Sequence, residues 1–185
     1  MVMKKIFVTV GTTKFPKLID AVTTEDVLNT IKSLGYNFVQ IQTGKEFSKV
    51  HIAPDLPLSY KLHCNGENGQ IILKFDDLIL KYEPYFENFE EEIVNSDLVI
   101  SHAGAGTCLE VLRKKKTLLV VINEDLMDNH QIELAEELQS RGYLYYSTCD
   151  TLSQVLKKDF SKLKDYPQLE KNIFAEYLDK SMGFI

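Results

Sequence analysis

The chain has 185 residues, 44% of them hydrophobic, and its 27 acidic side chains outnumber 21 basic ones for a net charge of -6. That length fits one core rather than two full-sized domains, and an acidic balance argues against a protein that tracks a nucleic-acid backbone. The longest apolar runs are a few residues long, far short of the ~20 that span a bilayer, the N-terminus shows no apolar leader, and Cys64, Cys108 and Cys149 lack the spacing of a disulfide framework or a zinc site.

The expected state is a cytosolic protein with reduced thiols, no direct membrane span and no nucleic-acid partner. Short β-branched runs alternate with amphipathic stretches, the pattern of βαβ units on a mainly parallel sheet. Lys5 to Val10 (KIFVTV) reads as the first strand. The turn from Gly11 to Pro16 leads into helical spacing, with Leu18, Ile19 and Val22 on one stretch and Val27, Leu28, Ile31 and Leu34 on the next, which Gly35 ends. Asn37 to Thr43 reads as the second strand.

The stretch from Lys45 to Lys81 is irregular, and NGENG at 65–69, between SYKLHC and QIILKF, has the composition of a hairpin turn. It is expected to be an excursion edging the main sheet, with Asp76 and Asp77 a solvated pair. Regular alternation then resumes: a helix over Tyr85 to Asn95, a strand over Asp97 to Ser101, a helix over Thr107 to Lys115, and a strand over Leu118 to Asn123. A helix over Asn129 to Arg141, a short strand over Tyr143 to Ser147, a helical stretch over Thr151 to Asp159 and a last helix over about 167–183 complete the pattern. The basic run Arg113-Lys114-Lys115-Lys116 sits where a helix ends, a place the helix dipole favours for cations, and reads as a solvated terminal turn before a lipid contact.

Ligands of open α/β sheets bind outside the carboxyl ends of the strands, so the turns after strands carry the chemistry. The strongest is Ser101-His102-Ala103-Gly104-Ala105-Gly106-Thr107, where small residues follow a buried strand and open a helix. Small side chains let backbone N–H groups approach an anion, and the helix N-terminus adds partial positive charge. Glu110 follows Thr107 by three residues, a spacing that suits a grip on ribose hydroxyls from the same helix face. The plainer reading is a tight turn that packs helix on strand. The dinucleotide fingerprint fits poorly, because Leu109 stands where its third glycine belongs, and no P-loop occurs.

Thr12 and Thr13, after the first strand, bring hydroxyls to the same sheet edge. Asp128, Asn129, His130 and Gln131 follow the apolar strand LLVVI. Asp128 or Asn129 is a natural N-cap, and His130 and Gln131 then stand near the strand ends, where sugar hydroxyls could be held. His51, His63, His102 and His130 show no metal-ligand spacing, so no metal or other cofactor is expected for donor binding.

VTVGTT, DLVISHAGAGT and INEDLMDNHQ, in that order, closely resemble the family of soluble donor-binding subunits of the dolichol-pathway UDP-N-acetylglucosamine transferases. More distantly the chain is similar to the C-terminal half of the bacterial lipid II glycosyltransferase, a two-domain GT-B enzyme. The resemblance implies a single Rossmann-like α/β domain over residues 1–185, with a mainly parallel sheet, equivalent to the C-terminal half of a GT-B glycosyltransferase. It implies an inverting β-1,4 transfer of N-acetylglucosamine from UDP-GlcNAc to GlcNAc-diphosphodolichol, the second step of lipid-linked oligosaccharide synthesis for N-glycosylation.

Carried over motif by motif, Gly104, Ala105, Gly106 and Thr107 would hold the diphosphate and Glu110 the ribose. His130 and Gln131 would meet the donor sugar, with Asp128 and Asn129 beside them, and Thr12 and Thr13 would face the diphosphate or the acceptor. The resemblance further implies that the acceptor-binding half is a separate, membrane-anchored subunit that recruits this chain to the cytosolic face of the endoplasmic reticulum. The last helix, with Ile173, Phe174, Tyr177, Leu178 and Met182 at helical spacing, could dock there or pack on its own domain. His102 and His130 are the local candidates for the general base, which the partner could equally supply. Two other readings stay open: a non-catalytic nucleotide-sugar-binding module that regulates or scaffolds a complex, and a dinucleotide-dependent oxidoreductase.

Overall fold

The computed structural model describes residues 3–44, 71–124 and 129–167, with the side chains of Asn129 and His130 left aside. Seven strands form one sheet: β1 (Lys5–Thr9), β2 (Phe38–Gln42), β3 (Ile71–Phe75), β4 (Leu78–Glu83), β5 (Leu98–His102), β6 (Thr117–Val121) and β7 (Tyr145–Ser147), in the order β3-β4-β2-β1-β5-β6-β7. All neighbours run parallel except β3 and β4, an antiparallel pair at one edge. The expectation of a mainly parallel α/β sheet is met.

Parallel strands need covering on both faces, and six helices supply it. On one face, α1 (Pro16–Val22), α2 (Glu25–Ser33) and α6 (Leu152–Leu156) bury Leu18, Val22, Leu28, Ile31, Leu152 and Leu156 against Ile6, Val8, Ile41 and Ile100. On the other, α3 (Phe89–Val94), α4 (Ala105–Arg113) and α5 (Asn129–Ser140) bury Ile93, Cys108, Val111, Leu112 and Leu138 against Phe7, Val99 and Val120.

Several elements depart from the sequence expectation. The boundary between the two helical stretches after β1 falls at Thr23, whose N–H closes on the Asp20 carbonyl at 3.1 Å and whose hydroxyl closes on that of Ile19 at 3.0 Å, ending α1. The apolar spacing marks the same break, since Val27 follows Val22 by five residues and Glu25 and Asp26 hold the positions that would continue the stripe. The irregular stretch holds a full strand, β4, pairing with β2 and turning back on β3 through Asp76 and Asp77. Those two acids form a hairpin turn, with Asp76 at φ +50 and ion-paired to Lys32. The hairpin expected through 65–69 and the helix expected over about 167–183 lie outside the described residues.

The helix after β4 starts at Phe89 rather than Tyr85, since Asn88 caps it by accepting the Glu91 N–H at 3.1 Å. Likewise α4 begins two residues before Thr107. Strand β7 and helix α6 are shorter than the expected Tyr143 to Ser147 and Thr151 to Asp159.

The order of the strands places a functional crevice. From β1 the chain moves outward through β2 to β4, then crosses back through α3 to β5 on the other side of β1. The loops after β1 and β5 therefore diverge to opposite faces at one point, where α/β sheets bind ligands.

Candidate active site

At that point a cavity of about 400 Å³ is lined by Gly11, Thr12, Gln42, Phe86, Phe89, His102, Gly104, Gly106 and Thr107. Its base is β5 running into α4. Ser101 and His102 end the strand with 0% and 7% exposure, and Gly104 is the N-cap of α4 in extended backbone. The Gly104 N–H donates to the His102 carbonyl at 2.8 Å and is thereby spent. Ala105, Gly106 and Thr107 follow as the first helical turn, whose N–H groups have no carbonyl before them to bond. The expected anion cradle is thus narrower by one group: Gly104 shapes it, and the next three residues carry the donors.

His102 fills the space between the two turns. A Cβ on Gly104 would stand 2.3 Å from His102 Nε2, and one on Gly11 would stand 2.7 Å from Cε1. Two residues without side chains therefore hold the imidazole edgewise between the loops. Gly11 is needed twice, since its φ of +58 lies in the left-handed region. Nδ1 is buried and has no hydrogen-bond partner among the described residues. Burial lowers the His102 pKa below its ordinary 6.5, and the Thr9 backbone opposes part of the shift without reaching hydrogen-bond geometry at Nδ1. The ring is accordingly neutral at neutral pH, with one nitrogen a donor and the other an acceptor.

The first turn is tied down by Thr13 N–H to the Val10 carbonyl at 3.1 Å and by Gly11 N–H to Thr9 Oγ1 at 2.9 Å. Thr12 lines the cavity and Thr13 does not. Glu110 lies one turn along α4 and lines an adjoining cleft with Glu90, Gly106, Arg113 and Lys114. Gly106 borders both spaces, so a ligand that crosses it reaches Glu110. Cys108, behind the turn, is 1% exposed, and burial pushes its thiol up to about 12, which fits a structural role rather than a reactive one.

Asn129, His130 and Gln131 open α5, which follows β6, the parallel neighbour of β5, so their backbone starts at the same sheet edge as α4. Gln131 is half-buried, while Asp128 lies outside the described residues. Sequence reasoning missed Gln42, Phe86 and Phe89. Gln42 ends β2 and was findable by the rule that exposed Thr12 and His102. Phe86 and Phe89 read as ordinary core residues, and both pack edge-on against Phe7 with ring centroids 5.5 Å away while also walling the cavity.

The model of the glycosyltransferase family 28 C-terminal domain matches residues 5–180. The chain belongs to this family. Among its relatives, the human UDP-N-acetylglucosamine transferase subunit ALG13 is 44% identical over 82% of this chain, which spans 12% of that protein's length. The protein of the same name from Cryptococcus neoformans is 32% identical over 97% of this chain and 96% of its own. The NMR solution structure of ALG13 superposes with a TM-score of 0.73 at 27% identity over 95% of both chains. The crystal structure of Acinetobacter baumannii MurG shares the fold, with a TM-score of 0.59 at 19% identity over 88% of this chain and 43% of that one. As a family 28 C-terminal domain, the chain corresponds to the C-terminal half of a GT-B glycosyltransferase. Among the described residues, no helix is long and apolar enough to cross a membrane, and no cluster of three metal-ligating side chains occurs.

Proposed function

We propose that this chain is the donor-binding, catalytic subunit of an inverting β-1,4-N-acetylglucosaminyltransferase. It moves N-acetylglucosamine from UDP-GlcNAc to GlcNAc-diphosphodolichol, the second step of lipid-linked oligosaccharide assembly. The observation that carries this reading is the donor-rich cavity at the sheet's switch point, lined by Gly106 and Thr107 of the first turn of α4, whose amides begin the helix. The family membership and the names of the relatives supply the sugar nucleotide.

The diphosphate rests on the first turn of α4, where N–H groups and the helix dipole favour negative charge. Each hydrogen bond to a charged oxygen contributes about 1.5 to 3 kcal/mol, so three hold a diphosphate without a metal. From there the nucleoside crosses Gly106 and its ribose hydroxyls meet Glu110. The N-acetylglucosamine lies toward β6 and the start of α5, against His130 and Gln131, with Asp128 and Asn129 beside them. Thr12 and Thr13 face the diphosphate or the incoming acceptor.

In the reaction the acceptor hydroxyl attacks the anomeric carbon from the face opposite UDP. The carbon–oxygen bond to the β-phosphate breaks, its electron pair leaves with UDP, and the hydroxyl proton passes to a base. Negative charge grows on the oxygen nearest the α4 amides, so this chain's main contribution is stabilising the leaving group. His102, neutral and adjacent, is suited to donate from Nε2 to that charge. His130 is this chain's other candidate for the base, and the partner can supply one as well.

A membrane-anchored subunit that binds the lipid acceptor completes the enzyme and recruits this chain to the cytosolic face of the endoplasmic reticulum, with the apolar stripe of Ile173, Phe174, Tyr177, Leu178 and Met182 a candidate for the docking surface or for packing on its own domain. The test is transfer from labelled UDP-GlcNAc by the chain alone and with membranes that contain the partner. Transfer is expected only with the membranes. Turnover by the isolated chain on a soluble acceptor overturns the split-enzyme reading, and UDP-GlcNAc binding without turnover beside any partner favours a regulatory module.

A further inference from the structure

The cavity holds one more buried polar side chain, and its donor is unused. Gln42, the last residue of β2, is 6% exposed and lines the wall between Thr12 and the two phenylalanines. Its Oε1 accepts the Thr9 hydroxyl at 2.5 Å, and Thr9 Oγ1 in turn accepts the Gly11 N–H at 2.9 Å. This relay directs the acceptor end of the amide toward β1 and leaves its NH2 end to the cavity, where Nε2 bonds to nothing among the described residues. Gln40, on the same face of β2, differs: its Nε2 is spent on Glu83 at 3.2 Å. Nε2 is not sealed from solvent, so it faces the open cavity and is available to an acceptor that enters it.

The lining decides what that acceptor is. None of its residues carries a carboxylate, an ammonium or a guanidinium, and the polar groups are backbone N–H, the threonine hydroxyls, the His102 edge and the Gln42 amide. A pocket of neutral donors without a dedicated acceptor fits an anion with several oxygens.

We propose that Gln42 is a ligand contact: Nε2 donates to a phosphate oxygen of the bound nucleoside diphosphate, while Oε1, through Thr9, locks the Gly11–Thr12 turn against the same group. This deepens the sugar-nucleotide reading above and rests on it. The diphosphate is then gripped from both sides of the switch point, by α4 on one side and by the end of β2 on the other.

The test is a calorimetric titration of the full chain with UDP and, by NMR, with uridine. Gln42→Met, which keeps the bulk and removes both the donor and the acceptor for Thr9, is expected to weaken UDP about tenfold. Gln42→Glu, which puts a carboxylate where the donor was, is expected to weaken it about a hundredfold. Uridine binding is expected to change less than about twofold in either variant, since it lacks the phosphates. Gln42→Glu keeps the shape and the acceptor for Thr9, so it carries the test should Gln42→Met unfold in a thermal melt. Equal losses for uridine and UDP, or unchanged UDP affinity in both variants, overturn the proposal alone. Wild-type protein that binds no UDP overturns the parent reading and this contact with it.

Discussion

His102 and Gly104 are in steric register: the imidazole Nε2 occupies the space a Cβ on residue 104 would need, at 2.3 Å from its ideal position. The ring is therefore kept in the cavity by an absence. Gly104→Ala is expected to expel it, at a cost of about 1 to 3 kcal/mol for the forced repacking. Urea unfolding measures that cost, and a UDP titration is expected to show a loss larger than Ala105→Ser produces next door. Unchanged UDP affinity in Gly104→Ala counts against a role for His102 beside the diphosphate.

The depressed His102 pKa has a consequence for stability. Burial disfavours the imidazolium in the folded chain, so below the ordinary value of 6.5 the unfolded state takes up the proton more readily. The stabilisation is present above pH 6.5 and lost as pH falls from there toward the folded pKa. Thermal unfolding at pH 7.5 and 5.5 should show a larger drop for the wild type than for His102→Gln. Parallel drops would mean that the ring reaches solvent and titrates normally.

Glu110 borders the cleft that continues the main cavity across Gly106, and its proposed ribose contact rests on that position. Glu110→Ala is expected to weaken UDP-GlcNAc about tenfold, the size of a charge-assisted hydrogen bond. A donor with a 2′-deoxyribose separates this from a general effect. It should narrow the gap between wild type and variant, leaving only the 3′-hydroxyl contact, whereas an undiminished tenfold gap removes the 2′-hydroxyl from the account.

The strands and turns of the site were legible in the sequence for a physical reason. Strands β1, β5 and β6 are buried on both faces and each carries an apolar run of three or four residues, and the SHAGAGT turn announces itself by small residues. Strand β4 was not legible, because Lys81 and Glu83 pair with each other at 2.5 Å on its less buried face and give LILKYE the look of a surface stretch. Gln42 looked like a polar strand end. Its meaning depends on Thr9, 33 residues earlier, which only the parallel register brings opposite. Phe86 has the same difficulty, since a phenylalanine that walls a cavity and one that fills a core are identical in sequence.

The far end of the sheet sets the position of that phenylalanine wall. Lys5, 7% exposed at the start of β1, meets Glu92 of α3 at 2.5 Å, while its backbone N–H donates to Asp97 at 2.7 Å. The ammonium is thus clamped where β1, α3 and the start of β5 converge. Removing the carboxylate alone leaves a largely buried charge without its partner, whereas removing both groups leaves a small apolar defect. Glu92→Ala is therefore expected to cost about 2 kcal/mol, below the range of a fully buried pair because Glu92 keeps some solvent contact, and Lys5→Met with Glu92→Leu less than that. Denaturant midpoints for the two variants check the order. Since α3 follows Phe86 and begins at Phe89, Glu92→Ala should also loosen UDP binding without touching the ligand, and the double variant should restore it. A double variant as unstable as the single one would show that the pair contributes through packing of the lysine stem rather than through charge.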